Sequence, residues 1–254
     1  MPRKKAAVEP LAAGSKYLDL DGLEHLIQKN DGRYVRQVAG KGLSSNDFTD
    51  EYKKIVDDLN YKKIAINSMN ATNASNEIGA TVTGTDVTWT LNKTPKTLKI
   101  KFGDEAEETL GNDVRSKSYT GKTIKSNTNI VLTATDERDA STSKTVTISF
   151  QSKTYWGIAD NKGSYTSADI LALEGSALAS GRGRTFTVNA TAGKHILYAI
   201  PTSFGTPTFN VGGFDGGFIK VGTIEHTNAS GHKQNYDVWK SVNAGLGSTT
   251  LVVK

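Results

Sequence analysis

The chain has 254 residues, 36% of them hydrophobic and none of them cysteine, which excludes a disulfide framework and thiolate metal sites. Lys and Arg number 31 against 26 Asp and Glu, a formal net charge of +5; the excess comes largely from Arg3, Lys4 and Lys5, so no broad basic face for nucleic acid is visible. There is no run of roughly 18 apolar residues, and the N-terminal charges lack the apolar segment of a signal peptide, so a soluble chain not exported by the Sec route is expected.

The hydrophobic share is enough for real cores but below the usual one, which favours several small modules over one large core. Residues 1–16 hold two prolines and no sustained period, and are expected to be an extended tail whose charged tip, Arg3, Lys4 and Lys5, can anchor it to a partner. Leu20, Leu23 and Ile27 then recur three and four apart, predicting a short amphipathic helix with Asp19 or Asp21 as its N-cap. A turn is expected at Asn30, Asp31 and Gly32, followed by a short extended piece with Tyr34, Val35 and Val38. Gly40 and Gly42 supply a permissive backbone, Thr49 is a candidate N-cap, and Asp50 and Glu51 suit a first helical turn, where the dipole favours negative charge. Tyr52, Ile55, Val56 and Leu59 form one apolar stripe, with Lys53, Lys54, Asp57 and Asp58 on the wet side.

Helices this short are marginal alone in water, and residues 17–60 have too few apolar side chains to bury themselves. Residues 1–60 are therefore expected to be a tail and an oligomerising stem. In it Leu20, Leu23, Ile27, Tyr52, Ile55, Val56 and Leu59 meet other copies of the chain.

From about Lys62 the period changes to two. Val87, Trp89 and Leu91 share one side; so do Leu98, Ile100 and Phe102, then Ile130, Leu132 and Ala134, then Val146, Ile148 and Phe150, each set alternating mostly with Thr, Ser or Lys. Turn residues at 92–95, 111–113 and 136–139 separate these half-buried strands at the intervals of a sandwich. Residues 61–151 are read as an immunoglobulin-like sandwich without its disulfide, with Trp89 as core aromatic. A second module, 152–254, begins near Tyr155. It has one or two helical turns at 167–173 and strands at 185–188, 195–200, 218–221, 236–239 and 250–253. The predicted fold is mainly β: a short helical N-terminal stem, an Ig-like β-sandwich and a C-terminal antiparallel β-sandwich.

Enzyme signatures fail. Gly121, Lys122 and Thr123 match only the end of a phosphate-binding loop, since Ser116 stands where a glycine is required and the context is a hairpin. No Gly-x-Ser-x-Gly elbow occurs, and His25, His195, His226 and His232 lack metal-ligand spacing, which leaves them as surface or strand-end residues. Asp104, Glu105, Glu107 and Glu108 lack the alternation and glycine of a calcium loop and read as a solvated turn. No catalytic residue, metal site or cofactor is expected. Around the glycine-dense stretch 211–218, Phe214, Asp215, Phe218 and Trp239, with Tyr236, form a candidate ligand surface, because flat rings stack on sugar faces and nearby carboxylates and amides hydrogen-bond. The competing reading, which the strand-like periods favour, is that these rings pack in a core or between subunits.

Three segments carry a resemblance: Gly40 to Lys53; Val87 to Pro95 with Tyr119 to Lys122 and Leu132 to Arg138; and Tyr198 to Phe218 with Tyr236 to Lys240 and Asn243 to Gly247. On these the chain resembles bacteriophage appendage proteins, the structural subunits of head fibres, tail fibres and baseplates that carry an Ig-like module. The resemblance implies a homotrimeric virion protein made in the host cytoplasm, with its N-terminus on phage capsid or tail proteins, its C-terminus outward, and no catalytic residues. Host cell-surface polysaccharide is then the candidate ligand, without nucleic acid or membrane insertion. Two modules of about 35 Å each reach on the order of 100 Å, which favours a head fibre over a long tail fibre. The alternative is a baseplate, tail or capsid-decorating assembly component that binds no receptor.

Overall fold

The computed structural model describes residues 20–31 and 50–254, which form parts of two compact units, 1–62 and 63–254. Arg3, Lys4 and Lys5, the caps proposed at Asp19 and Thr49, the extended piece at 34–38 and the glycines at 40 and 42 lie outside the described residues.

In the first unit, α1 spans Leu20–Asp31 and α2 spans Asp50–Asn60. Asp21 lies in the first turn of α1 and Lys29 in its last, both favourably placed in the helix dipole. The turn expected at Asn30 and Asp31 is instead helical, because Gln28 and Lys29 propagate the helix and no glycine intervenes between Gly22 and the end of α1 at Asp31. In α2 the wet side is laced by Lys54 to Asp58 at 2.8 Å and Lys53 to Asp50 at 3.3 Å. Such exposed pairs contribute only about 0.2–0.5 kcal/mol each, so they do not hold the helix by themselves.

The second unit is mainly β, and strands make up 50% of the described residues against 13% helix. Its first sandwich sets a sheet of β1 (Ile66–Ala71), β3 (Thr85–Leu91) and β6 (Ser116–Tyr119), in the order β1-β3-β6, against β4 (Thr97–Phe102), β5 (Glu108–Leu110), β7 (Thr128–Thr135) and the start of β8 (Ser141–Ala159). The short β2 (Ser75–Glu77) runs parallel to β8. Period-two alternation becomes burial: Val87, Trp89, Leu98, Ile100, Ile130, Leu132, Ala134 and Ile148 are all inside. Burying a side chain of this size contributes roughly 1.5–3 kcal/mol, so the contiguous cluster supplies the sandwich's main driving force without a disulfide.

A buried clasp closes the end of this sandwich where the chain enters. The Asp136 carboxylate, wholly buried, accepts from the backbone N–H of Ile64, Arg138 and Ala140, each at 3.0 Å, and lies 3.3 Å from Lys93 Nζ. Asn92 holds the neighbouring residues, accepting from Ala65 N–H at 2.8 Å and donating to Lys63 O at 2.8 Å.

The second sandwich shares β8. After α3 (Ser167–Leu171), it comprises β9 (Gly175–Ala179), β10 (Arg184–Ala190), β11 (His195–Pro201), β12 (Phe209–Val211), β13 (Phe214–Asp215), β14 (Phe218–Thr227), β15 (Lys233–Ser241) and β16 (Gly247–Val253). The Thr166 side chain and Asp169 cap α3 reciprocally, which lets so short a helix start cleanly. One sheet is ordered β10-β16-β12-β13; the other continues from the first sandwich through β8 to β11, β15 and β14, giving nine strands in all with β2 and β9 at its side. Early in its length β8 pairs β7 from Ser141 to Ile148, and later it pairs β11 from Tyr155 to Ala159.

Every residue of β11 is buried, as its unbroken apolar run demands, because the sheet is covered on both faces. Ile196, Tyr198 and Ile200 belong to the core shared with Phe186, Phe209, Leu251 and Val253. Leu197 and Ala199 belong to a second core under α3, with Tyr155, Tyr165, Ile170, Leu173 and Tyr236.

Candidate functional site

Two features stand out: the apolar stripes of α1 and α2 and the aromatic end of the second sandwich. On α1, Leu20, Leu23 and Ile27 are exposed, as is Leu26 at 43%, which the sequence reading left out although it falls three residues after Leu23. On α2, Tyr52, Ile55, Val56 and Leu59 are 57%, 46%, 45% and 80% exposed, so the whole predicted stripe faces outward in the single chain. No residue of α2 is buried.

At the aromatic end, Phe209 of β12 is the hub. Its ring stacks on Phe218 with centroids 4.1 Å apart and planes 13° apart, lies 5.7 Å from Trp239, and meets Tyr198 edge-on at 5.8 Å. Tyr198 in turn stacks on Phe186, and Phe186 on Trp156, at 5.6 and 5.4 Å. Phe218 and Trp239 are thus half-buried members of the core margin, with the Trp239 indole Nε1 inside and unpartnered. Tyr236 is buried in the core on the opposite face of the sheet, beyond reach of Trp239 as a partner in one surface.

Phe214 is different. β12 and β13 form a hairpin pairing Val211 with Phe214 and Asn210 with Asp215, closed by Gly212 and Gly213 at φ of +59° and +94°. Consecutive positive φ values are those of the tight turn whose twist matches paired strands, and glycine adopts them without strain. Asn210 donates Nδ2–H to Asp215 Oδ1 at 2.6 Å and accepts from Gly213 N–H at 3.2 Å. The result is a small fixed tip that holds the Phe214 ring 82% exposed beside an amide–carboxylate pair. Of the four candidate ligand residues, the fold presents Phe214 and Asp215 to solvent and draws Phe218 and Trp239 inward.

The other polar candidates are accounted for by local pairing. Glu105 bonds Lys122 at 2.6 Å, Glu107 bonds Lys99 at 3.0 Å and Glu108 bonds Lys117 at 2.6 Å, so the acidic stretch is a set of ion pairs on the first sandwich. Burial, with Glu108 and Glu105 nearby, pushes the Tyr119 hydroxyl up to about 12. Gly121 and Lys122 sit in the turn after β6, where the Lys122 ammonium lies 5.0 Å from the Phe102 ring centre. Two histidines lie at strand ends, His195 opening β11 and His226 one residue before the end of β14, and both are buried rather than on the surface. His195 is buried with Nδ1 2.8 Å from Ser241 O, and His226 is 1% exposed, because strands and loops distant in sequence cover them. Among the described residues no group of three or more His, Asp or Glu could hold a metal ion, and no helix is long and apolar enough to cross a membrane.

No protein-family model matches the sequence, and no curated protein matches it significantly. Among solved structures, the chain is similar to the α-L-rhamnosidase of Streptomyces avermitilis complexed with L-rhamnose, at 12% identity and a TM-score of 0.27, over 75% of this chain and 23% of that one. It is also similar to a chitinase from Bacillus thuringiensis, at 12% identity and a TM-score of 0.26, over 93% of this chain and 36% of that one. The chain thus spans about a quarter and about a third of the lengths of these two proteins, and neither similarity carries a functional assignment.

Proposed function

We propose that the protein is a structural subunit of a bacteriophage particle: a short homotrimeric fibre, a head fibre rather than a long tail fibre, anchored by its N-terminal segment and displaying its β modules for attachment to the host surface. The observation that carries this reading is the pair of exposed stripes on α1 and α2. Helices of 12 and 11 residues are too short to persist alone, yet each presents large apolar side chains to solvent, so a second and third copy of the same stripe are their natural cover. The second sandwich, in turn, ends in a rigid hairpin whose exposed ring and polar neighbours suit weak contact with cell-surface polysaccharide, strengthened by several copies on one particle. The protein acts by binding and carries no catalytic residues on this reading.

The test is the mass of the full chain in solution. The expected value is three times 27.2 kDa for the native chain and 27.2 kDa for Ile55→Asp, with the β circular-dichroism signal unchanged. A native chain that stays monomeric at tens of micromolar, or an Ile55→Asp chain that stays trimeric, would overturn the stem. Cleavage of host polysaccharide by the purified protein would overturn the non-enzymatic assignment.

A further inference from the structure

We propose that His226 is an acid-released latch between the two β modules, independent of whether the chain forms a fibre. The turn after β2 lies against the tip of the β14–β15 hairpin. There Asn228 donates Nδ2–H to Ile78 O at 2.7 Å, while its Oδ1 accepts from the backbone N–H of Ser230 and His232 and so shapes the hairpin tip for that contact. Gly79, at φ +88°, packs so closely that a Cβ there would fall 2.5 Å from the His232 Cβ.

His226 sits near this seam, and neither of its ring nitrogens has a hydrogen-bond partner. Its ring lies edge-on to Tyr155 at 5.1 Å and against Tyr236 at 4.6 Å. The ionisable groups around it come from three strands. β2 supplies Glu77; β8 supplies Lys153 and Tyr155; β15 supplies Tyr236, with Asp237 of the same strand turned away to Thr223 and Lys220. The Glu77 carboxylate is already engaged by Tyr155 Oη–H at 3.1 Å and Lys153 Nζ at 2.9 Å, and Tyr236 donates its hydroxyl proton to Lys153 O at 2.7 Å. From the α3 side, Ser167 bonds Glu225 O and Thr227 N–H, while Asp169 is held by Lys162 and Thr166. On the hairpin itself Glu225 pairs with Lys233 at 2.8 Å, and His232 stands at the tip.

A neutral imidazole is tolerated in such a site. An imidazolium there has two protons to donate and no free acceptor, so the second proton is taken up more readily when the hairpin swings away from β2 and water reaches the ring. The sign follows. Burial holds the His226 proton affinity below its ordinary value in the closed seam, with Glu77 partly offsetting it. Once opened, the ring returns to a pKa of about 6.5. The open form binds more protons just below that value, so the closed seam loses stability as pH falls from about 6.5 and stops losing it once the closed form also protonates.

Hydrogen exchange of the full-length chain, measured between pH 7.5 and 5, tests the latch at the Asn228 side-chain amide, whose Nδ2–H donates across the seam to Ile78 O at 2.7 Å. Protection is expected to fall by up to about tenfold for each pH unit below 6.5, then level off. His226→Phe should abolish the pH dependence, and His232→Phe should leave it in place. A native chain with flat protection down to pH 5 overturns the latch, as does a folded His226→Phe chain that keeps the native profile. Should His226→Phe fail to fold, the NMR titration of the native His226 ring decides. A midpoint below that of a free histidine that coincides with the levelling of protection supports the latch, and a midpoint that does not coincide overturns it.

Discussion

Replacing Asp136 tests how the chain is tied to its first sandwich. In Asp136→Ala the N–H of Ile64, a residue only 5% exposed, loses its acceptor in a place water does not reach easily, and an unsatisfied buried donor costs about 1–3 kcal/mol. The N–H groups of Arg138 and Ala140 lie in a half-exposed turn where water can substitute, so each loses roughly 0.5–1 kcal/mol. The sum, about 3 kcal/mol, is a large part of the ~5–15 kcal/mol that holds a typical domain together. With a urea slope of about 2 kcal/mol/M, the unfolding midpoint should fall by about 1.5 M, followed by the fluorescence of Trp89 in the same core. The more searching variant is Asp136→Asn. One carboxylate oxygen serves Arg138 and Ala140, and the other serves Ile64 and Lys93, so in either orientation the amide turns an NH2 group toward donors. Asparagine should therefore cost nearly as much as alanine. An Asp136→Ala midpoint within about 0.3 M of the native one, or an asparagine variant that loses less than about half as much, would refute the clasp.

Two other substitutions probe the second sandwich. Gly175→Ala would place a Cβ 2.2 Å from the Trp156 indole, forcing that ring off Phe186 and away from the Arg184 guanidinium 4.7 Å from its centre, at a cost of about 1–3 kcal/mol and with a changed near-ultraviolet spectrum. Gly163→Ala, which meets nothing within 4 Å, is the control expected to leave both unchanged. Phe214→Ser should alter stability by less than about 0.5 kcal/mol, because the ring is already in water, while lowering adsorption of particles that carry the protein. Undiminished adsorption by folded Phe214→Ser particles would remove the ring from the contact surface.

Where local chemistry decides the structure, the sequence was legible. The alternation of Val87 with Trp89 and of Leu98 with Ile100 gave their strands and inward faces, and the spacing of Tyr52, Ile55, Val56 and Leu59 gave a helix with one apolar side. Features that depend on distant partners were not legible. The boundary read between residues 151 and 152 falls inside one continuous strand, where Ser152 and Thr154 are buried, satisfied by Gln234 and Arg184. Asp136 read as turn punctuation because its main buried donor, Ile64, lies 72 residues earlier. His226 looked like the flank of an exposed turn, since nothing near it in sequence announces β2 and Tyr155 as its cover. The rings around the glycine-dense stretch 211–218 read as either a ligand surface or packed core; the hairpin register puts Phe214 at an exposed tip, while Phe218 returns to the core margin.

The continuity of β8 has a consequence for how such a gene can exchange parts. Modules pass between genes most readily when the crossover falls in an exposed linker that few contacts span. Between residues 151 and 152 there is no such linker: the strand there is paired with β2 on one side of the break and β9 on the other. A recombinant joined at that point would inherit half of a strand and two unmatched sheet edges. The break between compact units falls instead between Lys62 and Lys63, ahead of the Asp136 clasp. Residues 63–254 should therefore be inherited as one cassette, with the stem as the part free to be swapped.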